Sequence, residues 1–243
     1  MRRLAYDLHL HSCLSPCGDE EMTPNSIAGM AKLNGLSLLA LTDHNTTGNA
    51  AAFYAACRRY GIVPIAGAEL TTAEDIHLVT LFPSLESALD FDADLAPHRI
   101  AIPNRPEIFG RQLLVDENDK ILGERQELLT NALSLSLSEA AEFARRYGAA
   151  CYPAHIDRES NGAIAVLGDF PHDVGFTCYE IADSQSREAY QERYALDRLR
   201  SVVSSDAHVL WDISEGENML SLSGESEQEL RSELISLLGG RGE

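Results

Sequence analysis

Long apolar runs are missing from this 243-residue chain. No stretch approaches the roughly 18 to 20 consecutive apolar residues needed to span a bilayer, and Met1-Arg2-Arg3-Leu4 leads into a short strand rather than a secretory leader. A cytosolic protein with no membrane partner is expected. Positive charge is also scarce: 19 lysines and arginines face 38 aspartates and glutamates, a formal net charge of -19. That balance argues against the broad phosphate-binding surface of a DNA-binding protein, while cations bound at a site would dominate the local field and still admit a phosphate substrate. The five cysteines, Cys13, Cys17, Cys57, Cys151 and Cys178, are an odd number at spacings that suggest no disulfide framework, which fits a reducing compartment. There is no internal repeat or low-complexity tract, and no serine or cysteine stands in a recognisable nucleophile setting. With 44% hydrophobic residues, the chain can build one large core, and a single domain over residues 1–243 is expected.

What is present is an alternation of strands and helices. A short apolar strand at 4–8 ends at His9. Thr23-Pro24 then opens a helix with an N-cap and a proline in its first turn, and Gly35 closes it. The run at 36–41 lacks polar alternation, as in a strand buried on both faces. A helix from about 49 to 60 stops at Gly61, and a third strand at 62–66 leads to Glu69. The βαβαβ order predicts parallel strands with right-handed crossovers. Only a few residues separate Glu69 from the next apolar run at 76–82, too few for a parallel crossover, so that strand must be antiparallel and His77 shares a rim with Glu69. Residues from about 91 to 135 interrupt the rhythm and read as an inserted cap segment. Within it, 111–115 and 121–123 flank a polar turn as a small hairpin. The rhythm resumes at Ser136-x-x-Glu139, a capping box. Strands follow at 149–152, 177–181 and 202–204, with helices at about 187–199 and 225–238.

Polar residues of one kind gather at the ends of these strands. His9-Leu10-His11, Thr42-Asp43-His44 and Asp206-Ala207-His208 each follow an apolar run, and Glu69, His77 and His155 join them. Six of the eight histidines therefore fall on one rim, where barrel enzymes place their chemistry, leaving His98 and His172 elsewhere. Histidine-x-histidine at a strand end sets two imidazoles on one side of the pleat, able to share a metal.

These motifs, with Gly67-Ala68-Glu69, Pro153-Ala154-His155 and Ser204-Ser205-Asp206-Ala207-His208, resemble the polymerase and histidinol phosphatase (PHP) family of metal-dependent phosphoesterases. The resemblance covers nearly the whole chain outside the insert. It implies an α/β fold, a distorted TIM-like (β/α)7 barrel with one antiparallel hairpin, holding two or three divalent metal ions. The family's metal pattern falls on His9, His11, Asp19, His44, Glu69, His77, His155, Asp206 and His208, with Glu20 as the alternative to Asp19. A mixed imidazole and carboxylate set suits Zn, Mn or Fe better than Mg or Ca. Glu69 is the natural bridging carboxylate, and a metal-bridging hydroxide is the expected nucleophile. Asp43 is read as a catalytic residue that orients a ligating histidine or passes a proton.

The expected function is hydrolysis of a small phosphorylated metabolite or nucleotide. Arg158, three residues after His155, is the first candidate for a phosphate clamp because its planar fork matches phosphate, against a plain surface role paired with Asp157 or Glu159. Arg105 and Arg111 in the insert are weaker candidates, and Trp211 is a candidate wall for a base or sugar. Cys13 and Cys17 read as small residues in a turn around Pro16, with a disulfide or an extra metal ligand as alternatives. The rivals are a 3'-5' exonuclease-type nuclease on DNA or RNA ends and a metal-binding regulatory module without turnover. An amidohydrolase is a third, but neither Lys32 nor Lys120 stands where a metal-bridging lysine is needed.

Overall fold

Local signals in the chain set its first elements. In the computed structural model, which describes residues 1–240, β1 (Arg2–Asp7) ends just before His9. Thr23 caps α1 (Pro24–Leu33), its side chain accepting the Ser26 N–H, and Pro24 sits where no helical donor is lost. β2 (Leu38–Leu41) is buried throughout, and α2 (Ala50–Tyr60) stops at Gly61, whose φ of 70° is the left-handed cap conformation that glycine adopts freely. β3 (Val63–Thr71) pairs in parallel with β2, as β2 does with β1. β4 (His77–Leu81) runs antiparallel to β3 with His77 opposite Thr71, so the expected reversal of direction is present.

The next stretch departs from the sequence reading in one element. α3 (Leu85–Leu95) buries Ala88, Phe91 and Leu95 along one face behind a Ser84 cap, a helix that sequence reading did not assign. After it come the single turn α4 (Pro106–Phe109) and the hairpin of β5 (Leu113–Val115) and β6 (Ile121–Glu124). Asn49 docks this hairpin: its side chain donates to the Leu113 carbonyl (3.1 Å) and accepts the Val115 N–H (3.1 Å).

The Ser136–Glu139 capping box opens α5 (Leu137–Arg146), which leads to β7 (Ala150–Pro153) against β4. A short α6 (Ala163–Leu167) precedes β8 (Cys178–Glu180). α7 (Arg187–Tyr194) is shorter than expected, because it buries no side chain and Ala195 turns left-handed (φ 54°) to send Leu196 into the core. Then come β9 (Arg200–Val202), β10 (Met219–Leu222) and α8 (Glu227–Leu237). β10 pairs antiparallel with β1 and went unread in the sequence because three of its four side chains are at least partly exposed.

Together these form an α/β fold with a curled sheet and eight α-helices among the described residues. The main ladder runs β10-β1-β2-β3-β4-β7, and β8-β9 forms a separate parallel pair. Segments beyond the strand ends link the two sheets: Ile156 N–H donates to Glu180 O (2.9 Å) on one side, and His11 N–H to Ala207 O (3.0 Å) on the other. Leu8, Leu38, Ile65, Val79, Tyr152 and Cys178 fill the inside of the curl, and Leu234 and Ile235 of α8 pack onto the same cluster. Burial of each large apolar side chain contributes about 1.5–3 kcal/mol. The outer helices cover the opposite face with a second core that includes Phe53, Phe82 and Phe91. What the curl leaves on its rim is the polar cluster.

Candidate functional site

Three rim residues hold backbone conformations that side chains other than glycine rarely adopt: Asn45 (φ 52°), His155 (φ 26°) and Asp206 (φ 52°). Strain of this kind persists where surrounding contacts enforce it, and here it turns each chain end as it leaves its strand. The turns converge on one carboxylate. Glu69, 1% exposed, has five imidazoles around it: His9 at 3.2 Å, His11 at 3.3 Å, His44 at 3.2 Å, His77 at 2.9 Å and His155 at 3.2 Å. Asp206 stands across from it, its Oδ1 3.2 Å from His9 Nε2 and 3.1 Å from His11 Nε2.

Other residues hold the outer nitrogens of His9 and His11, and one nitrogen of the nearby His208. His9 Nδ1–H donates to both carboxylate oxygens of Glu180 (3.0 and 3.1 Å), and the same Glu180 accepts the His155 N–H (3.2 Å). Ser15 Oγ donates to Asp43 Oδ1 (2.7 Å), so it accepts from His11 Nδ1–H (3.1 Å) and from the His44 N–H (3.1 Å). Asp43, buried, acts on His11 through Ser15 and also takes the Ser12 N–H and O–H. His208 Nδ1–H donates to the Asp206 carbonyl (2.7 Å), leaving Nε2 as its free nitrogen. Asp7 ties down the far loop by accepting the Ser205 and Ser214 N–H groups (3.0 and 3.1 Å).

This arrangement fits metal ions by its own chemistry. With Nδ1–H given to Glu180, a neutral His9 points an Nε2 lone pair at two carboxylates, a repulsive pairing unless a cation lies between them; that buried nitrogen has no hydrogen-bond partner, and neither has His44 Nδ1. The same carboxylates favour the charged form of the imidazoles that face them. Burial would lower the His9 pKa, yet Glu180, Glu69 and Asp206 carry it well above the ordinary value, and His11 rises to about 9 against burial through Asp206 and Glu69. His44 moves well below the ordinary value through burial and the charge of His11. Burial opposes ionisation of Glu69, but His77, His9 and His44 hold it well below the usual carboxylate range. Donor atoms lie within 4.8 Å of one another in three overlapping groups: His9–His11–Glu69–Asp206, His44–Glu69–His77 and His11–His44–His208.

The cluster opens into a cavity of about 270 Å³ lined by Cys17, Thr130, Arg158, Ser160, Asn161 and the rim residues. Arg158 lines it and pairs with Asp206 Oδ2. Of the residues singled out in the sequence, His9, His11, His44, Glu69, His77, His155, Asp206, His208 and Arg158 come together here. Asp19 and Glu20 do not: Asp19 is exposed and accepts the Glu21 N–H (2.8 Å), while Glu20 pairs with Arg111 (3.5 Å). Arg111 is further occupied by Glu124, Arg105 lies over the Phe109 ring, and Trp211 is 85% exposed, so none of the three lines the cavity. Sequence reasoning missed Glu180, Thr130, Ser160 and Asn161, which carry no motif. A polar residue ending an apolar strand run was the available signal for Glu180. Cys13 and Cys17 are free thiols, and burial with the charge of Glu69 pushes the Cys17 thiol up to about 12.

The sequence profile of the PHP domain matches residues 7–207. The chain belongs to the PHP domain family. Among curated relatives, a 3',5'-nucleoside bisphosphate phosphatase from Chromobacterium violaceum is 40% identical over 73 residues, 30% of this chain and 25% of that protein. An error-prone DNA polymerase from Symbiobacterium thermophilum is 42% identical over 74 residues, 30% of this chain and 7% of the polymerase. The matched stretches thus span a quarter or less of these relatives. Among solved structures, the lesion-specific endonuclease PfuEndoQ from Pyrococcus furiosus is similar in fold, with a TM-score of 0.67 at 19% identity, covering 99% of this chain and 57% of that one.

Proposed function

We propose that this chain is a metal-dependent phosphoesterase that hydrolyses a small phosphorylated metabolite or nucleotide. The observation that carries the reading is a single buried carboxylate, Glu69, ringed by five imidazoles within 3.3 Å at the floor of an open cavity. In this reading two or three ions of Zn, Mn or Fe are held by His9, His11, Glu69, Asp206, His44 and His77, with His155 beside Glu69 and His208 beside His11. Bound divalent ions supply Lewis acidity toward phosphoryl oxygens and lower the pKa of water.

The chain's own residues do the rest. Glu180 and Ser15 fix the rings of His9 and His11 so that each Nε2 faces inward, and Asp43 holds Ser15 in that orientation. Arg158, 42% exposed at its side chain, offers the remaining face of its guanidinium to a substrate phosphate while anchored on Asp206. Ser160, Asn161 and Thr130 supply neutral polar contacts at the mouth. We assign the 91–135 segment the role of the cap, since Asn45 binds the Leu129 and Asn131 carbonyls (2.7 and 2.9 Å) and so sets the edge that carries Thr130. The free thiols and the absence of any described helix long and apolar enough to cross a membrane are in keeping with a cytoplasmic enzyme, which is our reading.

A cavity of about 270 Å³ and a net charge of -19 favour a small substrate over a nucleic-acid end. The test is a phosphoester panel assayed with Mn²⁺ or Zn²⁺, containing sugar phosphates, nucleoside monophosphates, nucleoside bisphosphates and single-stranded oligonucleotides. Turnover of a small phosphoester well above the oligonucleotides is expected. Faster release of nucleotides from oligonucleotide ends would establish the nuclease reading instead, and no cleavage with metal bound would leave a regulatory module.

A further inference from the structure

The 91–135 segment is fastened to the site at the residue that follows one of the imidazoles around Glu69. Asn45 comes directly after His44, whose Nδ1 lies 3.2 Å from Glu69, and it is buried with φ 52°, a left-handed conformation that asparagine tolerates better than most side chains. Each of its polar groups is engaged. Its backbone N–H donates to the Glu69 carbonyl (2.8 Å) and its side-chain oxygen accepts the Thr71 N–H (2.9 Å), which tie it to β3. The remaining groups reach the 91–135 segment. The side-chain amide donates to the Leu129 and Asn131 carbonyls (2.7 and 2.9 Å), and the Asn45 carbonyl accepts the Arg99 Nε–H (2.8 Å). Arg99 is itself held by Asp92 (2.6 Å) and bridges to Leu133, so the early and late parts of the segment meet at Asn45.

Thr130 stands between the two carbonyls that Asn45 holds. It is half-buried and lines the cavity, and its hydroxyl is bonded to no other described residue. The backbone on either side of it is fixed. Leu129 is buried and its N–H donates to Gln112 Oε1 (2.8 Å), while the Asn131 N–H donates to the Leu128 carbonyl (3.3 Å). An uncommitted hydroxyl on a pinned turn can exchange a hydrogen bond with a bound molecule at little cost in ordering. A neutral hydroxyl is a poor clamp for a phosphate, whose charge the ions and Arg158 would meet, and a good partner for another hydroxyl.

We propose that Thr130 reads a hydroxyl on the organic part of the substrate, and that Asn45 is the positioning residue that sets Thr130 at a fixed place relative to Glu69. The inference rests on the phosphoesterase reading above and narrows it to phosphoesters of hydroxylated compounds.

The test is a double-mutant cycle on selectivity. Wild type, Thr130→Val, Asn45→Asp and the double variant are loaded with Mn²⁺, with bound metal counted by elemental analysis and folding checked by circular dichroism. Asn45→Asp keeps an acceptor for the Thr71 N–H but cannot donate to both insert carbonyls. The kcat/KM is measured for glucose 6-phosphate, ribose 5-phosphate and adenosine 5'-monophosphate, and for phenyl phosphate, whose organic part carries no hydroxyl. The ratio of the best hydroxylated substrate to phenyl phosphate is expected to fall about three- to tenfold in each single variant, the loss of one neutral hydrogen bond, with metal content retained. In the double variant it should fall no further than in the weaker single, because both changes remove the same contact. Should Asn45→Asp fail to fold, Asn45→Gly, which accepts the backbone conformation and deletes the side-chain bonds, takes its place. An unchanged ratio in Thr130→Val overturns the hydroxyl contact. A loss in the Asn45 variant that is equal for all four compounds, or that adds in full to the Thr130 effect, overturns the positioning role, and either result leaves the phosphoesterase reading standing. A wild type that cleaves none of the four would overturn both.

Discussion

Glu180 shows how much one side chain outside the cavity governs. It takes the Nδ1–H of His9 with both oxygens and the backbone N–H of His155 with one, so it joins two chain ends 146 positions apart in the sequence. Glu180→Gln keeps the shape but weakens the acceptor for His9, and metal affinity should fall about ten- to a hundredfold, measured by competition with a chelating dye. Unchanged affinity would mean that the contact only packs the strand. Arg158→Ala should lower kcat/KM by about ten- to a hundredfold, the loss of a charge-assisted contact of about 1.5–3 kcal/mol, with metal content unchanged. If kinetics stay intact and only the melting temperature drops, Arg158 serves Asp206 alone. The metal-free protein has a pH signature as well. His11 is raised in the folded state from an ordinary 6.5 to about 9, so its contribution to stability is complete below about 6.5 and is lost as pH rises through about 9. The melting temperature of metal-free protein should therefore fall across that window, whereas the metal-loaded protein, which needs neutral imidazoles, should not follow it. Parallel curves would contradict the assignment of the ring nitrogens.

At the scale of elements, Asn49 is the pin between the start of α2 and the β5–β6 hairpin, being bonded to Leu113 O and Val115 N in a buried setting. Asn49→Ala leaves both groups unpaired and should destabilise the fold by about 1–3 kcal/mol, with proteolysis at the hairpin rising before the rest of the chain opens. A melting temperature within error of wild type would show that water replaces the amide. The elements that sequence reading found were those with strong local punctuation. β2 was legible because its run is buried on both faces, α1 because Thr23 and Pro24 mark its start, and the reversal at β4 because chain length forbids a crossover. β10 was not, since it is a half-exposed edge strand of four residues whose pattern matches a loop. α3 was passed over although Ala88, Phe91 and Leu95 recur at helical spacing, because its second half falls in the stretch from about 91 read as an inserted segment.

Across the whole molecule, the metal cluster was legible because its residues sit at or beside strand termini, Glu69 near the end of β3 and His77 at the start of the antiparallel β4, and the curled sheet brings those termini to one rim. The turn at 12–19 was not, because spacing along a chain does not reveal which residue a compact turn presents; Asp19 has the right sequence position but is exposed and turned to the Glu21 N–H, while Cys17, also exposed, lines the cavity. The central claim is that bound divalent ions and this rim together hydrolyse phosphoesters. Its most direct test is elemental analysis of protein purified without added metal, followed by prolonged chelation and readdition of Mn²⁺ or Zn²⁺, with cleavage of a generic phosphoester measured at each stage. The account predicts at least about two ions per chain, loss of cleavage on chelation and recovery on readdition. Full cleavage by metal-free protein would contradict it.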